Sequence, residues 1–252
     1  MYQNRNGFSL IEALMVVALS VLMTATVLEI YLSSVRAFHY IELIARISQR
    51  ASSTLEILSG EIKKAGYIGC ARLSPDLQVR PLENDTLTIA NRISGTDNEI
   101  TIRKMSQKTA FLEKTNDDLS SVTVTSNIKF SSGDMVIIAD CHGAEFAEIN
   151  HVSLTNGRQK LHFSSALHKN YLPGTEVGHY EIQHFFLKPS KHQSLFYEDI
   201  HKQKYAILSD VLNIHFTYFL KNNVISLVEI ELNLHVGKLN KTWFSFIPVG
   251  EI

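Results

Sequence analysis

Cysteine is nearly absent from this chain: Cys70 and Cys141 are the only two in 252 residues. No C-x-x-C spacing occurs, so the sequence suggests neither a zinc ribbon nor a thioredoxin-like redox site. An excess of either charge is also missing, with 24 Lys and Arg against 25 Asp and Glu and a formal net charge of −1. A chain without a global basic field does not bind nucleic acid or anionic lipid as a bulk property. H-E-x-x-H, G-x-S-x-G, G-x-x-x-x-G-K-[ST] and G-x-G-x-x-G are all lacking, and with them any support for an enzyme.

The eleven histidines are scattered. The closest pairs, His162/His168 and His179/His184, have no acid at a recognised metal-site spacing. Asn116-Asp117-Asp118 lacks the further oxygens and the glycine of a calcium loop. No metal and no cofactor is implied, and the aromatic run Tyr180–Phe186 reads as core.

Two further absences organise the N-terminal quarter. No proline lies between Phe8 and Pro75, and no charge lies between Ala13 and Leu28. A helix from Phe8 to Leu28 would extend roughly 31 Å, which matches the ~30 Å hydrocarbon core of a bilayer. The anomaly is Glu12, a carboxylate at the mouth of this apolar span. Intramembrane acids are costly and have partners. If the chain is cut after Gly7, Phe8 carries a free α-amine, mostly cationic at neutral pH, and Glu12 can meet the amine of a neighbouring subunit. The bland reading is that Glu12 reaches interfacial water.

Gly7-Phe8-Ser9-Leu10-Ile11-Glu12 resembles the prepilin peptidase recognition motif of type IV pilins and type II secretion pseudopilins. The resemblance implies a short polar leader, MYQNRNG, cleavage between Gly7 and Phe8, N-methylation of Phe8, and a role for Glu12 in subunit assembly. An ordinary secretory signal peptide is the competing account. Its n-region would hold only Arg5, Glu12 would fall inside its apolar core, and Thr24-Ala25-Thr26 would be a poor cleavage site. Orientation by positive charge is hardly readable, since Arg5 on one side faces Arg36 on the other.

Beyond the span, Leu28, Tyr31, Val35, Phe38, Ile41, Ile44, Ile47, Ala51, Leu55, Leu58 and Ile62 recur at three- and four-residue spacing, one stripe of an amphipathic helix. Lys63 and Lys64 suit its last turn and Gly66 its stop. The expected helix is about 55 residues long, far beyond the ~12-residue average. The run Ala65-Gly66-Tyr67-Ile68-Gly69-Cys70 resembles a signature of PilW-family minor pilins.

An exported domain permits a Cys70–Cys141 disulfide, whose loop of about 70 residues is worth roughly 4 kcal/mol in the chain-entropy model. Two free buried cysteines are the alternative.

Residues 71–85, with Pro75 and Pro81, read as loop. From there strand follows strand: Thr86–Ala90, Glu99–Arg103, Ser121–Thr125, Met135–Ala139, Ala144–Leu154, Lys160–Ser164, Glu176–Lys188, Ser194–Tyr197, Ala206–Leu220, Val224–Val236 and Thr242–Val249. Turn signals fall at Ser132-Gly133-Asp134, Thr155-Asn156-Gly157 and Lys221-Asn222-Asn223, with a polar turn at Ser209-Asp210. The pairing of Leu212–Tyr218 with Leu227–Leu234 is similar to the C-terminal sheet of PilW-like proteins.

The expected fold is α+β and pilin-like: a long N-terminal helix packed on antiparallel sheet. The expected organisation is a leader over 1–7, a transmembrane half over 8–29, a periplasmic half over 30–66, and a mainly β domain over 67–252. The resemblance implies a minor pilin that initiates or primes a type IV pilus and forms part of its tip, in adhesion, twitching motility or DNA uptake. It implies prepilin peptidase, minor pilins of the PilV, PilX and FimU types, the major pilin and a tip adhesin as partners. It places the chain in the bacterial inner membrane and then in the surface pilus, with nucleic acid a partner only in a competence pilus. The alternatives are a GspJ-like minor pseudopilin and a membrane-anchored DNA- or surface-binding protein.

Overall fold

Uninterrupted by proline, the N-terminal stretch forms one helix, α1 (Leu10–Lys63), of 54 residues. The computed structural model describes residues 10–73, 79–82, 85–125, 128–155, 157–188, 193–236 and 239–249. Two compact units divide α1 between them, one ending at Arg50 and the other beginning at Ala51. In the second, Ala51, Thr54, Leu55, Leu58 and Ile62 are buried along one face, spacings that stack on a single side of a 3.6-residue period.

Full burial along the helix begins at Ala51, whereas the expected division at residue 30 is one between membrane and periplasm. Tyr31, Phe38 and Ile41 belong to the same stripe and remain exposed. A periodic stripe records what can be buried, and among the described residues nothing covers these three.

After Lys63 the chain turns, with the Ala65 N–H donating to Ile62 O at 3.1 Å and the Tyr67 N–H to Lys64 O at 3.0 Å. Gly66 has φ +78°, and a Cβ there would lie 2.9 Å from Arg92 Cδ and 2.9 Å from Leu73 Cδ1. Only glycine meets both the left-handed backbone and the close approach.

The expected loop over 71–85 is corrected in part, because it contains strands. β1 (Tyr67–Ile68) pairs with β2 (Ala71–Arg72), and β3 (Val79–Leu82) pairs with β4 (Asp85–Leu87). Strands of two to four residues are too short to show a period, and Pro81 argues for loop. The β3–β4 register is irregular between Val79 and Leu82, around the residue that has no N–H to donate.

The larger sheet adds β5 (Ile93–Thr96), β6 (Glu99–Thr115), β7 (Ser121–Thr125), β8 (Met135–Asp140), β9 (Gly143–Thr155), β10 (Arg158–Phe163), β11 (Glu176–Lys188), β12 (Ser194–Glu198) and β13 (Lys204–Ser209). Its pairings close on themselves. β6 pairs with β7, β7 with β10, β10 with β9, β9 with β8, β8 with β11, and β11 with β6, all antiparallel.

Alternation along these strands sends Ala110, Leu112, Val122, Val124, Val136, Ile138, Ile149, Leu161 and Val177 into one core. Phe130, Leu167 and Tyr171, from connecting segments, join it. A closed sheet has no free edge within the ring. The opposite side chains of β8 and β9, including Ile137, Ala139 and Phe146, form a second core with Ile68, Leu73, Val79 and Leu87.

The expected strand over 206–220 is two strands, parted at the expected polar turn Ser209-Asp210. Asp210, at φ +60°, separates β13 from β14 (Val211–Lys221), and the two enter different sheets. β14 pairs with β15 (Val224–Val236), which pairs with β16 (Leu239–Pro248). Asn222 and Asn223 both have positive φ, 53° and 62°, the backbone of a two-residue hairpin turn that matches strand twist. This three-stranded sheet is tied to the β5–β6 connection. The Phe216 N–H donates to Asp97 O at 2.7 Å, and the Tyr218 hydroxyl donates to Glu99 O at 2.9 Å.

Candidate functional site

In the first unit the described site residue, Glu12, lies on α1. Glu12 falls in its first turn, where a negative charge is favoured by the helix macrodipole. Around and beyond it, Leu10, Ile11, Leu14, Met15, Val16, Val17, Leu19, Val21 and Leu22 all expose their side chains. The helix is long and apolar enough to cross a membrane, with mean hydropathy 2.2 over its most apolar window.

Its few hydroxyls bond back to the helix: Ser20 Oγ to Val17 O at 2.8 Å, Thr24 Oγ1 to Ser20 O at 2.7 Å, and Thr26 Oγ1 to Met23 O at 2.8 Å. A helix in hydrocarbon needs that internal satisfaction, because no water reaches the donors. Between Glu12 and Glu29 no side chain carries a formal charge. Gly7 and Phe8, where cleavage and N-methylation are expected, lie outside the described residues.

In the second unit, Cys70 and Cys141 form a disulfide with Cα atoms 5.2 Å apart. Each cysteine stands in the two-residue turn of a hairpin. Gly69-Cys70 joins β1 to β2, where Ile68 faces Ala71, and Cys141-His142 joins β8 to β9, where Asp140 faces Gly143. The bond thus fixes the turn that follows the helix to one rim of the closed sheet.

Asp140 braces this rim, accepting from Lys169 Nζ at 2.6 Å and from the His142 N–H at 2.9 Å. Burial works against its charge, but these bonds prevail and hold its carboxyl below the usual carboxylate range.

Sequence reasoning missed a buried charge group at the end of the helix. Lys104 of β6, whose side chain keeps 4% of its surface, contacts Glu61 of α1 and lies 3.5 Å from Glu181 of β11. Lys64 Nζ adds a 3.2 Å contact to Glu61. Burial raises the Glu61 pKa, but hydrogen bonds and charge from Lys104 and Lys64 outweigh it and leave the carboxyl below its ordinary value. Lys104 and Glu181 face each other across β6 and β11. Glu61, forty-three residues before Lys104, gives no local signal of belonging to the group.

Three histidines also acquire acids from segments distant in sequence. His179 Nε2 lies 3.1 Å from Asp134, His184 Nε2 lies 3.1 Å from Glu99, and His168 Nδ1 lies 2.8 Å from the buried Glu145. Among the described residues, no three His, Cys, Asp or Glu side chains are placed to hold a metal ion. No protein-family model, curated protein or solved structure matches the chain.

Proposed function

We propose that this chain is a minor pilin of a type IV pilus, of PilW-like character, that helps to initiate assembly and forms part of the tip. The observation that carries the reading is the division of α1. Its first part exposes an apolar surface with one acid in the first turn, and its last part, from Ala51, buries one face in a β-rich unit. Gly7-Phe8 ahead of that acid, and Ala65-Gly66-Tyr67-Ile68-Gly69-Cys70 at the helix end, support the same reading.

In this mechanism the span stores the subunit in the membrane. Cleavage after Gly7 frees the Phe8 amine, and Glu12 pairs with the amine of an adjacent subunit. In a low-dielectric setting that pairing rewards one axial register. Exposed residues such as Tyr31, Phe38 and Ile41 are then covered by neighbouring helices.

The test is fractionation of cells making a C-terminally tagged chain. Recovery of the chain with sheared surface filaments supports the reading. Confinement to the inner membrane in cells with normal filaments opposes it. A GspJ-like pseudopilin is the second reading, favoured by the same motif, and secretion defects with intact pili on deletion would select it.

A further inference from the structure

A second site arises where β11 changes partners. On one side β11 pairs with β6 through Gln183↔Ile102 and beyond. On the other, pairing with β8 ends at His179↔Val136, and pairing with β12 begins at His184↔Glu198. The β6 register breaks between Gly178 and Tyr180, the kind of irregularity that locally disrupts a ladder and increases strand twist. β8 and β12 diverge at this fork and leave a cleft of about 520 Å³. That volume lies within the ~300–1,000 Å³ range of small-ligand sites.

The cleft is anionic above an aliphatic wall. Asp134, Glu181 and Asp199 line it together with His179, His201 and Tyr197, and among the described residues no lysine or arginine does. Met135, Ile182 and Ile200 supply the apolar side and pack on the second core.

Part of the acid capacity is already used. Asp134 Oδ2 accepts from His179 and from the Ser131 N–H, Asp199 Oδ1 accepts from the Gln203 N–H at 2.9 Å, and Glu181 Oε2 faces Lys104. The other oxygens of Glu181 and Asp199 have no hydrogen-bond partner among the described residues. Lys104 is shared with Glu61 and is almost fully buried, so it leaves net negative charge at the cleft surface.

Burial, followed by the charges of Glu181 and Asp199, pushes the Tyr197 hydroxyl up to about 12. It therefore stays protonated at neutral pH and can accept from a cation with its oxygen lone pairs. The carboxylates surround a space and do not converge on one point, which suits an extended organic cation better than a metal ion.

We propose that this cleft binds an alkylammonium chain, its stem along Met135, Ile182 and Ile200 and its head among Glu181, Asp199 and Tyr197, and that the natural occupant is a lysine side chain of a partner protein. The inference does not depend on the filament reading.

The experiment is equilibrium binding to the full chain in detergent micelles. The probes are a labelled Gly-Gly-Lys-Gly-Gly peptide, the same peptide with acetyl-lysine, and spermidine as competitor. The lysine peptide saturates, acetylation abolishes binding, and Asp199→Asn weakens it about fivefold, as expected for one partly exposed ion contact. The asparagine Oδ1 can still accept from Gln203, so thermal unfolding is unchanged. Binding weakens between roughly 50 and 300 mM salt as screening grows. Saturation by spermidine without the peptide keeps the alkylammonium chemistry but replaces the partner protein with a free polyamine. Failure of both probes, or binding indifferent to acetylation and to Asp199→Asn, overturns the proposal.

Discussion

Lys104 and Glu61 are in direct contact, one from the middle of a strand and the other from the last turns of the helix. Glu181 and Lys64 complete the group. Removing the lysine leaves Glu61 partly buried without its main counter-charge. The expected cost of Lys104→Ala is about 3 kcal/mol, the lower end for a broken buried pair, because Glu61 keeps a fifth of its side-chain surface in solvent. Thermal unfolding of the detergent-solubilised full chain should fall by roughly 6–12 °C at this chain length. An unchanged midpoint would mean that the contact contributes nothing.

The same group sets an acid limb. The Glu61 pKa is lowered from 4.5 in the folded chain, so the folded state binds that proton less readily than the unfolded state. Its stabilisation is fully present above the unfolded value and is lost as pH falls through the folded one. Asp140 acts with the same sign. Glu61→Gln should flatten the fall of stability below about pH 4.5, followed by denaturant unfolding at stepped pH. A wild-type slope in the mutant would contradict the assignment.

The disulfide joins cysteines 71 apart in sequence, a loop worth roughly 4 kcal/mol. The double substitution Cys70→Ser and Cys141→Ser should lower the unfolding midpoint by about 10 °C, and added reductant should lower the wild type similarly without affecting the mutant.

Two glycines with positive φ separate backbone strain from crowding. At Gly66 an added Cβ meets Arg92 and Leu73, and at Gly133 it meets nothing within 4 Å. Gly133→Ala should cost only the left-handed penalty of about 1–2 kcal/mol, and Gly66→Ala measurably more. Equal costs would show that the Gly66 turn has room to shift.

Glu12→Ala and Glu12→Leu should leave insertion and processing intact and reduce recovery in the filament fraction several-fold. Quantitative blotting of membrane and sheared fractions measures both. Normal recovery would remove Glu12 from assembly.

How much of this was legible follows from the range of each interaction. The helix was, since absent proline and a three–four period act within a few residues, and the structure runs from Leu10 to Lys63. So were Ser121–Thr125 and Glu176–Lys188, which match their expected bounds, and the Asn222-Asn223 turn. β6 was expected only to Arg103 and continues to Thr115. The polar run Ser106-Gln107-Lys108-Thr109 breaks its alternation where the register with β11 also breaks. Ring closure, the Glu61–Lys104 contact and the cleft each need residues brought together from far apart in the chain, which no local pattern encodes. Of the expected site residues, the cysteines meet and Glu12 lies in the first helical turn, while Gly7 and Phe8 lie outside the described residues.

The most direct test of filament assembly is the intact mass and N-terminal sequence of the protein extracted from membranes, with and without prepilin peptidase. With the peptidase the chain should begin at N-methylated Phe8, and without it the residues ahead of Phe8 should remain attached. A chain that begins at Met1 despite the peptidase, or downstream of Leu28, would contradict a role as a filament subunit.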